Sequence, residues 1–208
     1  MNRLLFVLAT FVLIAVGGCA TEPAKPLFVE SPSQSLAPPP GDKAQVVFLE
    51  PINGIQGLIP VGLFEIDDNS SRTLLAVTGA RSKVAITFTP GRHRLMANHS
   101  GMIAHYLDIN VEAGKRYYVL VRFIYGRGFQ LRPLVPSGAS DYTVLNKDFP
   151  SWVSSTRFVE KTREGEEHFE RIKDAVTKSQ AEGLKTWMGK TPQERAELTL
   201  NPQDSVPR

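Results

Sequence analysis

His93, His99 and His105 fall within thirteen residues, a cluster that could bind a metal or move a proton. Strand alternation puts His93 and Leu95 on one face, matched by Ile103, His105, Leu107, Ile109 and Val111 on the next strand. A three-residue loop, His99-Ser100-Gly101 with Gly101 at positive φ, pairs Leu95 with His105 and His93 with Leu107. The two imidazoles then become diagonal neighbours, with Cβ atoms up to about 7–8 Å apart, close enough to share an ion. Zinc takes three or four protein ligands, whereas only two converge here and no carboxylate shares their face. A pair of hydrogen-bonded core histidines is therefore expected, with no metal and no cofactor. An envelope enzyme or metal-binding protein using His93 and His105 is the competing reading.

Other reactive types are poorly placed for catalysis. Ser100 lies beside His99, but Asn98-His99-Ser100-Gly101 lacks the strand–turn–helix setting that presents a nucleophilic serine. Asp108 falls on the outward face opposite Arg92, where a solvated ion pair accounts for it. Gly126-Arg127-Gly128 joins two strands without a following helix N-terminus to hold an anion, so it reads as a hairpin turn. No residue is assigned a catalytic role, and the chain is read as a non-enzyme.

Cys19 is the only cysteine, which excludes an intramolecular disulfide and a cysteine-cluster metal site. It follows a short positive segment ending at Arg3, an apolar run from Leu4 to Val16, and Gly17-Gly18. The run has the length of a signal-peptide core and is short of the roughly 20 residues a membrane span needs. Val16-Gly17-Gly18-Cys19 resembles the lipobox of bacterial lipoproteins, in which small residues precede a cysteine whose sulfur receives diacylglycerol. The resemblance implies removal of residues 1–18, lipidation of Cys19 and anchoring to a membrane outside the cytoplasm. Ala20 follows the cysteine where an aspartate often marks inner-membrane retention, so the outer membrane, facing the periplasm, is expected.

Residues 19–42 read as the lipidated cysteine and a tether, because Thr-Glu-Pro-Ala-Lys-Pro, Ser-Pro-Ser-Gln-Ser and Ala-Pro-Pro-Pro-Gly favour extended polyproline geometry. At about 3.1 Å per residue such a spacer holds the domain up to roughly 60 Å from the lipid. The composition beyond it is that of a globular protein, 42% hydrophobic and 22% charged. The net charge of +3 includes Arg3, leaving about +2 after processing, and the cations are interspersed with carboxylates. Nucleic acid is not an expected partner.

Between residues 43 and 150 short apolar runs alternate with turn residues, the pattern of an antiparallel β-sandwich of seven or eight strands. Strands are expected over 44–49, 61–66, 72–77, 83–88, 92–98, 102–111, 117–124 and 129–135. Within this region Thr89-Pro90-Gly91-Arg92-His93-Arg94-Leu95 is followed by Glu112-Ala113-Gly114-Lys115-Arg116-Tyr117-Tyr118-Val119. Together they resemble PEGA-like β-sandwich modules of bacterial lipoproteins of unknown function, over roughly residues 43–135. The resemblance implies a small sandwich displayed in the cell envelope and transfers no catalytic residue. The register continued into the next strand places Tyr117, Val119, Val121 and Phe123 inward, with Phe123 opposite His105.

The outward face of that strand, Tyr118, Leu120, Arg122 and Ile124, is too apolar to leave in water. Tyr118, Leu120 and Ile124 are thus the candidate binding residues, to be covered by the C-terminal segment or by a partner. Residues 151–208 read as a helical extension. Thr162 is an N-cap, and Glu164, Glu166 and Glu167 suit the first turn. Phe169, Ile172 and Val176, then Leu184, Trp187 and Met188, form an apolar stripe that Gly183 weakens. Thr191-Pro192-Gln193-Glu194 reads as a second helix start, and the tail from Asn201 as frayed. Packing of this helix on the sheet near Tyr118 is expected. The whole reads as a lipid-anchored binding or structural module. A glycan- or peptidoglycan-binding lipoprotein, with Tyr106, Tyr118 and Trp152 as stacking platforms, is the alternative.

Overall fold

The computed structural model describes residues 24–52, 54–99, 102–138 and 140–206. The signal segment, Cys19 and the Ser100-Gly101 pair lie outside the described residues. No helix among the described residues is long and apolar enough to cross a membrane.

The chain is mainly β, with two packed sheets and a C-terminal helical part. β1 (Phe28–Glu30) precedes the eight strands expected from sequence: β2 (Ala44–Glu50), β3 (Val61–Ile66), β4 (Arg72–Thr78), β5 (Ser82–Phe88), β6 (Gly91–Asn98), β7 (His105–Val111), β8 (Arg116–Ile124) and β9 (Gly128–Leu134). After α1 (Phe149–Ser154) come β10 (Arg157–Lys161), α2 (Arg163–Arg171), α3 (Lys173–Met188), α4 (Pro192–Ala196) and β11 (Thr199–Leu200). One sheet has the order β1-β10-β5-β2-β8-β9, the other β11-β7-β6-β3-β4. Residues from the facing sides, among them Phe48, Leu63, Leu95, Leu107, Ile109, Tyr117 and Leu131, form the inner core.

Three strands beyond the expected eight come from segments read as tether and helical extension, and the sheets are mixed. β2 pairs parallel to β8, β5 to β10, and β7 to β11. The cause of the first is the Glu112–Lys115 connection, which crosses from one sheet to the other instead of closing a hairpin. Gly114 (φ 70°) donates its N–H to Lys43 O at 2.9 Å, and Lys115 O accepts from Gln45 N at 2.9 Å, seating the crossing on β2. Tyr117, Val119 and Val121 do point inward, but they face β7 across the core rather than pairing with it.

The proline-rich stretch is folded from Leu27 onward. β1 pairs with β10, Leu27 and Phe28 pack against buried clusters, and Leu36 covers the outer face of the first sheet. Proline content masks this, because the apolar triplet Leu27-Phe28-Val29 between the prolines is long enough for a strand.

α2 and α3 cover the second sheet, not the face near Tyr118. Phe169, Val176 and Trp187 pack on Phe64, Val77, Met96, Ala104 and Tyr106, the outward side chains of β3, β4, β6 and β7 together with the residue just before β7. The break falls at Ile172, between α2 and α3, rather than at Gly183. Gly183 lies where α3 crosses closest, and a Cβ there would stand 2.3 Å from Ala104 O. The tail is also held: Asn201 and Asp204 cap a 3-10 turn, and Val206 N donates to Arg116 O at 2.8 Å.

Candidate functional site

A groove of about 630 Å³ opens at one end of the second sheet, lined by the start of β6, the ends of β3, β7 and β11, and the β3–β4 turn. The turn is fixed by Asp67, whose Oδ1 accepts from Asn69 N at 2.9 Å and Ser71 N at 2.8 Å. That geometry lets Ser70 take a φ of 64°. Gly91 (φ 124°) makes the corner after Pro90 and launches Arg92, His93 and Arg94 along the groove.

His93 sits at the mouth, its ring packed on Phe88 with centroids 5.1 Å apart. Nδ1 lies 2.6 Å from Glu65 Oε1 and Nε2 2.9 Å from Thr89 O. Oxygen atoms of the fold thus occupy both ring nitrogens of His93. Deeper in, Arg94 grips Asp108 through two bonds, Nε to Oδ1 at 2.8 Å and Nη2 to Oδ2 at 3.0 Å. Hydrogen bonding to Asp108 pushes the guanidinium pKa further up, so Arg94 is always charged. Its plane lies 5.8 Å from the Trp187 ring, which ties the groove floor to α3. Glu65, Asp67, Asp68 and Asp108 outnumber Arg92 and Arg94, giving the groove both signs with an acidic excess.

The register between β6 and β7 is the reason the histidines do not meet. Leu95 pairs with Leu107, His93 with Ile109 and Ala97 with His105, two residues away from the register expected from a three-residue loop. The strand starts at His105, and Met102 to Ala104 belong to the connection. Parity survives the shift, so Leu107, Ile109 and Val111 still point inward, while Ile103 falls outside the strand. The ion pair on the outer face becomes Arg94–Asp108 in place of Arg92–Asp108. Four residues of ladder now separate His93 from His105, about 13 Å at strand rise. His105 Nε2 contacts Arg127 O at 2.9 Å, and burial pushes its pKa down. His99 Nδ1 contacts Pro60 O at 3.0 Å, and burial likewise lowers it. Among the described residues no three His, Cys, Asp or Glu side chains are grouped to hold a metal ion.

Tyr118, Leu120 and Ile124 lie on the outer face of β8, where the chain covers itself. Leu120 is buried with Val47, Leu49 and Leu134 under Leu36, Val144, Phe149, Trp152 and Val153. The Tyr118 ring meets Phe149 edge-on at 5.2 Å. Arg122 bonds the Tyr142 hydroxyl and stacks over its ring at 4.8 Å, with Arg132 stacked at 4.6 Å. Only Ile124, half-buried at the strand end, lies outside this cover. Of the proposed stacking residues, Tyr106 is buried and donates its hydroxyl to Gln180 O at 3.1 Å. Trp152 stays half-exposed beside a recess lined by Tyr142, Asp141, Asn146 and Asp148.

Compared with known proteins, the chain matches no family model, no curated protein and no solved structure.

Glu50 escaped the sequence reading. It is 0% exposed, and neither carboxyl oxygen has a hydrogen-bond partner among the described residues. Burial pushes its pKa up to about 8 against a smaller opposing pull from the Thr78 hydroxyl. The available signal was alternation: Val46 and Phe48 face inward, so Glu50 must as well.

Proposed function

We propose that this chain is a cell-envelope lipoprotein, anchored through Cys19 at the outer membrane and facing the periplasm, whose sandwich binds or scaffolds rather than catalyses. The observation that carries the non-catalytic reading is the engagement of His93, held by Glu65 and Thr89 O on its two nitrogens. His99 and His105 spend a nitrogen each on the carbonyls of Pro60 and Arg127. Side chains committed to tying strands and turns together are structural parts, and the PEGA-like resemblance points the same way. The mixed-charge groove beside Arg94 and Asp108 is the surface assigned to a polar partner from the envelope.

Metabolic labelling with a fatty acid, followed by membrane fractionation, tests the anchor. Wild type carries label and sediments with outer membranes, and Cys19→Ala loses both. An unlabelled, freely soluble wild type overturns the reading.

Glycan binding is supported by one observation, the half-exposed Trp152 beside Tyr142, Asp141 and Asn146. Retention on purified sacculi that Trp152→Ala abolishes would favour it. Equal retention of both proteins would remove it.

A further inference from the structure

Glu50 closes β2 with its side chain between the sheets, in register with Ser82 and beside Thr78. Its oxygens and the Thr78 hydroxyl are buried without a hydrogen-bond partner among the described residues. Among the described residues no cation is paired with it. On β5, Lys83 turns to the outer face and donates Nζ to Val153 O. Arg81, in the β4–β5 turn, is exposed. On β8, Arg116 bonds Gln45 and Arg122 bonds Gln130; on β4, Arg72 reaches Gln180 and Lys173 O. Glu65 of β3 is held by His93, and Glu30 of β1 by Arg157. An ionised carboxyl in such a place costs several kcal/mol, so it stays protonated or finds water.

Segment 54–60 rests on the β4–β5 turn that flanks Glu50. Gly57 lies against that turn so tightly that a Cβ would be 2.4 Å from the Ala80 Cβ. The turn itself is tied to β10 by Arg157 N donating to Arg81 O and braced by the Ser82 hydroxyl on Gly79, and fewer bonds reach across to the chain between β2 and β3. Ala80 N donates to Gly57 O at 2.9 Å, Arg81 N to Ile52 O at 3.1 Å, and Pro60 O meets His99. Leu58, in the middle, is exposed.

We propose that Glu50 is a proton latch: as a neutral acid it lets this end of the sandwich close, and its ionisation releases segment 54–60 from the turn. Burial, which raises the Glu50 pKa to about 8, places the change in the mildly alkaline range. His99 is already neutral there, since burial lowers its pKa, so it does not contribute to the transition.

Amide hydrogen exchange of the full chain, corrected for intrinsic rates, tests this at Ala80 and Arg81, whose acceptors are Gly57 O and Ile52 O. In wild type their opening constant rises about tenfold per pH unit from pH 6 to 8 and then levels. In Glu50→Gln it does not vary with pH. The same slope in Glu50→Gln, no slope in wild type, or opening at Ala80 and Arg81 no more frequent than at the globally exchanging core amides each overturns the proposal. Should Glu50→Gln not fold, infrared titration of wild type serves instead. Loss of a protonated-carboxyl band must track the exchange change, and exchange without that loss refutes the latch.

Discussion

Arg94 and Asp108 illustrate how far single residues were legible. Alternation placed both on the outer face, yet the partner of Asp108 depended on a connection whose length no local signal sets. The same two-residue difference separates His93 from His105 and dissolves the two-ligand metal site that spacing suggested. Glu50 carries the sharpest residue-scale prediction. Its folded pKa, about 8, lies above the unfolded 4.5, so the unfolded chain gives up this proton first as pH rises. Stability is highest below pH 4.5 on this account, falls through the window to about 8, and is flat beyond. Glu50→Gln removes the penalty. Chemical denaturation should find the variant more stable by up to about 5 kcal/mol at pH 8 and indistinguishable below pH 4.5. Equal stability at pH 8 would mean that Glu50 is hydrated in the folded protein.

At the scale of elements, helix ends were readable because capping is local chemistry. Thr162 accepts from Gly165 N, and Thr191 forms a reciprocal box with Glu194, as their spacing implied. Which sheet the helices cover was not readable, since both sheets have apolar outer faces and the choice depends on α1 and Leu36 having taken the first. Gly183 was misleading for the same reason: locally it weakens a helix, but tertiary contact requires it. Alanine has the better helix propensity by about 1 kcal/mol. Its Cβ would nevertheless sit 2.3 Å from the Ala104 carbonyl oxygen, rigid backbone that cannot step aside. Gly183→Ala should therefore destabilise by about 2–3 kcal/mol in equilibrium unfolding, because α3 must lift from β7. Gly189→Ala is the control, its nearest contact being 3.4 Å, and should change stability by less than about 1 kcal/mol. Thr191→Ala should cost about 1 kcal/mol through loss of the cap.

For the whole molecule, the division into tether 19–42, sandwich 43–150 and extension 151–208 does not describe the folding unit. β10 and β11 extend the two sheets, α1 covers one outer face, α2 and α3 cover the other, and β1 closes an edge. Composition hid this, because proline reads as linker whether or not its neighbours are apolar. The ordered contacts of the former tether are specific. Thr162 N donates to Leu27 O at 3.0 Å, and Gln34 both donates to Phe158 O and accepts from Phe158 N. Pro39 is buried. If Cys19 is the lipid attachment, the spacer is the eight steps from Cys19 to Leu27, at most about 28 Å rather than 60 Å. The sandwich then works close to the bilayer, with the α2 end nearest to it. A chain starting at residue 43 discards β1, Phe28 and Leu36 and should lose on the order of 5 kcal/mol, lowering the melting temperature by roughly 10–20 °C relative to one starting at residue 24. Phe28→Ala alone should account for about 2–3 kcal/mol of it, since the ring fills the space over Gly79 that an alanine leaves open. Equal melting temperatures for the two chains would restore the tether to a passive spacer and return the sandwich to a distance of up to about 60 Å from the membrane.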